Sequence, residues 1–192
     1  KRKMIELEPH YNWRHLYTAV NDEHAPFFGR EYSEITLDNR IYDTYIHPQW
    51  DEFGSLTLYM KILFTDYEQG FTIFEFIGEW NDILYNDIMY LYRNVIEELI
   101  ESGIRKFILV GENILNFHAD DDSYYQEWFD NIEDGWIVGL NFLEHNIDEL
   151  KDAHLDYYIS FGGDFDFMDW RTYHPQKLFE KINQQMQYRL GE

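Results

Sequence analysis

Carboxylates dominate the side chains that can do chemistry in this sequence. Asp and Glu number 37 against 15 Lys and Arg, with eight His and no Cys among 192 residues. Glu79 and Glu112 each follow a glycine at the end of an apolar run. Two carboxylates facing one dry cleft repel each other, so one pKa rises and the pair divides into an acid and a base. His145, after the apolar run 136–142, and His118, at the head of an acidic cluster, complete the catalytic candidates. Trp80, Asn81, Asp82, Asn113 and Asp164 flank these positions and are the candidates for binding. The densest cluster is His118-Ala119-Asp120-Asp121-Asp122. Asp120, Asp121 and Asp122 offer hard oxygen ligands and His118 a nitrogen, so a divalent cation is the one cofactor these residues suggest. The competing reading is a solvated helix start, with Asp121 or Asp122 as its N-cap.

Other chemistries lack their patterns. Residues 164–169 alternate carboxylates like the opening of a calcium loop, but position 6 is not glycine and position 12 is Pro175. The sequence holds no Gly-x-Ser-x-Gly, phosphate-binding Walker loop or Gly-x-Gly-x-x-Gly. Its histidines form no His-x-x-x-His pair.

The elements that must position these residues follow from apolar periodicity. Residues 9–20 place Trp13, Leu16, Tyr17 and Val20 at helical spacing behind Pro9 and predict a short amphipathic helix. Residues 32–37 and 40–46 flank Asp38-Asn39 and predict a hairpin. Residues 56–65 and 71–77 predict a second hairpin about 66–70. Residues 82–102 predict the longest helix, with Leu84, Ile88, Leu91, Val95 and Leu99 inward and Gly103 after its end. Strands at 107–110, 136–142 and 155–161 then alternate with helices near 124–132, 146–152 and from Pro175 onward. This order predicts an α/β fold: a mixed, mostly parallel sheet with antiparallel hairpins on the N-terminal side and helices on its faces. One domain over 1–192 is expected, with 1–55 elaborating a core over 56–192. Parallel strands would bring the stretches containing Glu79, Glu112, His145 and Asp164 to one edge, where α/β proteins build their sites.

The order of elements resembles the STAS/SpoIIAA-like fold over about residues 56–190. The local echo is Phe107-Ile108-Leu109-Val110, then Asn116-Phe117, then Asp120–Ser123. In the anti-sigma-antagonist branch a strand leads to a phosphorylatable serine at the next helix start. The resemblance implies that role for Ser123, although Asp121-Asp122-Ser123-Tyr124 stands where that branch has Asp-Ser-Ser-Gly.

Charge narrows the partners. The net charge is −22, and residues 62–150 hold 20 acids and three bases, net −17. Such a surface repels nucleic acid and anionic membranes. Aromatics at 19% argue for a folded chain. No apolar run is long enough to span a bilayer, and none follows Lys1-Arg2-Lys3 as a secretory signal requires. The absence of Cys suits a reducing cytoplasm. The expectation is an acidic, soluble, non-catalytic interaction or regulatory module for a basic protein partner, in the manner of an inhibitor. A carboxylate enzyme and a phosphoswitch at Ser123 are the alternatives.

Overall fold

The computed structural model describes residues 4–33 and 35–191. Its centre is a five-stranded sheet in the order β4 (Leu58–Asp66), β5 (Phe71–Asn81), β6 (Lys106–His118), β7 (Trp136–Leu140), β8 (Ile159–Ser160). The β4–β5 pair is antiparallel and every later pair is parallel. The fold is α/β, as the alternation of elements predicts. A small second sheet joins β1 (Met4–Ile5), β3 (Thr44–Ile46) and β2 (Arg40–Ile41), in that order.

The two faces of the large sheet bury different elements. Alternation in β5 sends Phe74 and Phe76 to one face and Phe71 and Ile73 to the other. The first face packs against helical residues 82–101, α4 (Ser123–Asp130) and α5 (Glu144–Asp152), through Leu91, Val95, Leu99, Trp128 and Leu150. The second packs against α6 (Pro175–Leu190) through Leu178, Phe179 and Ile182. Phe71 and Phe179 stack there with centroids 4.0 Å apart. Trp13, Phe165 and Trp170 complete that face. Consecutive strands are neighbours from β5 to β8, so each connection climbs one strand at a time.

Several expectations change. The predicted helix over 82–102 breaks into α1 (Asp82–Tyr85), α2 (Asp87–Leu91), a π-helical turn (Tyr92–Ile96) and α3 (Glu97–Glu101). Asn86 makes the break, since it adopts a left-handed conformation with φ 51°. Gly103 does follow the helical end, at φ 96°. Residues 9–20 form turns and a 3-10 turn at Ala19–Asn21, not an α-helix. Trp13 is buried by a distant partner, with Nε1 donating to the Tyr173 carbonyl at 3.0 Å. The first hairpin turns at Tyr42-Asp43, between β2 and β3; residues 32, 33 and 35–37 form no strand, and Glu34 lies outside the described residues. The last strand shrinks to Ile159–Ser160 behind a 3-10 turn, Leu155–Tyr157.

Candidate functional site

Gly78-Glu79 and Gly111-Glu112 are strand residues, where loops were expected. β5 runs on to Asn81 and β6 to His118. Their glycines serve close packing. A Cβ on Gly78, at φ 120°, would lie 2.1 Å from the Thr57 carbonyl oxygen, which accepts the Glu79 N–H. A Cβ on Gly111 would lie 2.4 Å from the Phe142 ring. The partner register slips between Val110 and Asn113, placing one extra residue in β6. After this bulge the alternation changes phase: Leu109 and Ile114 face the same core.

Glu112 therefore pairs with a carboxylate other than Glu79. On the α6 face it meets Glu75, and Arg171 bridges the two. Arg171 forms an ion pair with Glu112 and stands 3.5 Å from Glu75 Oε1. Glu75 is only 1% exposed, and its Oε2 accepts the His10 backbone N–H at 2.8 Å. Burial pushes its pKa up to about 7, against the opposing pull of that hydrogen bond and of Arg171. Burial also holds the His10 imidazole below its ordinary pKa, with Arg171 adding to the effect. Asn141, at φ 55° just after β7, locks the lid of this cluster in place. Its side chain donates to the Met168 carbonyl and accepts the Met168 N–H, both at 2.8 Å. That contact sets Trp170 and Arg171 over the carboxylates, with the guanidinium 4.3 Å from the Trp170 ring centroid. The cluster has the charges of an acid–base pair, but Glu75 is shut off from solvent while Glu112 and Arg171 remain partly exposed.

Glu79 instead stands 3.6 Å from His118 Nε2, at the far ends of β5 and β6. Trp80 is 1% exposed and belongs to the core, which corrects its place among the binding residues. Its indole N–H donates to Asp82 Oδ1 at 2.9 Å. Asp82 is buried as well and accepts from the Ile88 N–H (2.9 Å) and the Tyr125 hydroxyl (2.6 Å). Its pKa is raised to about 7, chiefly by burial. Asn81 caps α1 by accepting the Leu84 N–H, and its own N–H donates to buried Asp87. Asp82 and Asp87 thus tie down the helical break.

The remaining candidates separate. Asn113 lies within β6 opposite Ile77. His145 bonds the Leu115 carbonyl through Nε2 at 2.7 Å. Asp164 accepts from Gln185 at 3.0 Å beside α6. Asp120, Asp121 and Asp122 are exposed and face different partners: Asp121 holds the Ser123 N–H and hydroxyl, and Asp122 accepts from Tyr158 at 2.6 Å. Among the described residues no group of three or more His, Cys, Asp or Glu is placed to hold a metal ion. Ser123 is exposed and opens α4, with Asp122 as the preceding cap residue.

What does assemble at this edge is a depression of about 190 Å³. Asp82, Asn86, Asp120, Asp121 and Tyr124 line it together with Ile83 and Leu84. Ile83 is 58% exposed and Leu84 is 71% exposed. The break at Asn86 turns Leu84 out of the inward stripe that its spacing predicts. No family model matches the chain, and no curated protein matches it. No described helix is long and apolar enough to cross a membrane.

Proposed function

We propose that this chain is a non-catalytic, acidic interaction or regulatory module, working in the cytoplasm, that docks a basic protein partner at the depression beside α1 and α4. The carrying observation is the exposure of Ile83 and Leu84 next to Asp120 and Asp121. Protein interfaces combine apolar contact with charged neighbours, and the carboxylates beside Ile83 and Leu84 steer a cationic partner in. Glu75 and Asp82, whose pKa values burial raises to about 7, are engaged in internal hydrogen bonds, which disfavours the enzyme reading. The test is an NMR titration with an amphipathic peptide carrying Lys and Arg. Amide shifts concentrated at Ile83, Leu84, Asp120, Asp121 and Tyr124 support the proposal; shifts elsewhere, or none, refute it.

The position of Ser123 favours a second reading, the STAS-like phosphoswitch. The serine is exposed at the start of the helix that follows β6, where the resemblance expects it. Its phosphate would meet the helix N-terminus but also three neighbouring aspartates. Phosphopeptide mapping of the chain purified from its own cells under phosphatase inhibition decides this reading. Phosphate on Ser123 supports it, and an unmodified Ser123 counts against it.

A further inference from the structure

A different part of the molecule carries cations. A cavity of about 230 Å³ lies over the outer edge of β4, between Lys61, Ile62 and Leu63 and the segment that follows His10. No Asp or Glu lines it, although the chain carries −22. Arg14 and Lys61 bring positive charge, Tyr17 and Tyr32 form aromatic walls, and Ala19, Ile62 and Leu63 supply apolar surface.

The charges behind the walls do not balance. Asp51 is fully buried and is shared by two cations, Arg30 at 3.1 Å and Lys61 at 3.3 Å. It also accepts the Tyr32 hydroxyl at 2.6 Å. The Lys61 ammonium donates to the Gln49 carbonyl at 2.8 Å and lies 4.0 Å from the Tyr32 ring centroid. One carboxylate thus serves two cations, Arg30 partly open to solvent and Lys61 largely buried. A buried cation is costly unless it meets an anion. Burial accordingly holds the Lys61 pKa below its ordinary value. Arg14, at the mouth, pairs with Glu8 at 2.9 Å and keeps further donors. His10 also lines the cavity, its ring packed edge-on against Trp13 and Trp170.

We propose that this cavity binds a small organic monocarboxylate, its charged end on Lys61 and Arg14 and its compact apolar body against Ala19, Ile62 and Leu63. The site is independent of the acidic docking face, since it rests on other residues and another kind of charge.

Calorimetric titration of the full chain with benzoate and isovalerate at neutral pH tests this, with benzamide and inorganic phosphate as controls. The expected result is binding of a carboxylate, with benzamide at least tenfold weaker because it cannot form charge-assisted bonds. Arg14→Gln should weaken binding about tenfold. Val20→Trp, at a half-buried wall position, should abolish it by filling the cavity. Lys61→Met should do the same, but it also disturbs Asp51; the Arg14 and Val20 variants keep the test decisive if that variant fails to fold. Failure of both carboxylates to bind overturns the proposal. So does equal binding of benzamide, tighter binding of phosphate, or undiminished binding by Val20→Trp.

Discussion

Glu75 shows how a residue's surroundings, more than its type, decide what it does. Its pKa of about 7 lies above the ordinary carboxylate value because burial penalises the charged form. A folded-state pKa that is raised in this way gives stability that is complete below the unfolded value, near 4.5, and is lost as pH rises through 7. The loss amounts to about 3 kcal/mol for a shift of this size. Asp82 acts in the same direction over a window from 3.8 to about 7. His10 acts oppositely, since its lowered pKa adds stability as pH rises through the ordinary histidine range. Glu75→Gln should therefore flatten the fall in stability between pH 4.5 and 7 without abolishing it, as urea unfolding at several pH values will read. A slope identical to that of the parent would refute the assignment. Arg171→Met should be destabilising by about 1 kcal/mol at pH 8, where it leaves two carboxylates without their cation, and less at pH 5; equal losses at both would contradict the pairing. Glu75 had a signal in the sequence: it is the lone charge in the apolar run 71–78. Its pairing with Glu112 was not legible, because that depends on a bulge and on an arginine 59 positions further along.

At the scale of elements, local patterns were readable and non-local ones were not. The hairpin at 66–70, the alternation of helices and strands, and the final helix from Pro175 all follow from periodicity and turn residues. Residues 9–20 have helical spacing, yet Trp13 is held by Tyr173 and the chain forms turns. Tertiary partners outweighed a weak local preference there. The stripe from Leu84 to Leu99 concealed the break at Asn86, because Ile88 to Leu99 remain buried while Leu84 alone turns outward. Gly78 and Gly111 look like loop glycines in one dimension and are close-packing glycines in three. Gly111→Val should be destabilising by about 3 kcal/mol or more, since a side chain there must displace Phe142. A thermal melt unchanged from the parent would show that the bulge is looser than described.

For the molecule as a whole, charge is the organising property, and it is divided. Most of the excess acid lies in residues 62–150, which build the central sheet and the helices of one face. At the ends of β5 and β6 that acidity surrounds exposed Ile83 and Leu84, whereas the edge of β4 gathers cations around a cavity. The first feature was half legible: the sequence pointed to an acidic edge and named Asp82 and Asp120, but it buried Leu84 and exposed Trp80, the reverse of the structure. The decisive measurement of docking at this acidic face is the salt dependence of a basic amphipathic peptide's affinity, read by fluorescence anisotropy for the parent and for Asp120→Asn/Asp121→Asn. Parent affinity should fall steeply between about 50 and 300 mM NaCl, and the double variant should bind about fivefold more weakly at low salt with a shallower dependence. Equal affinity and equal salt dependence in the two proteins would contradict docking at this face.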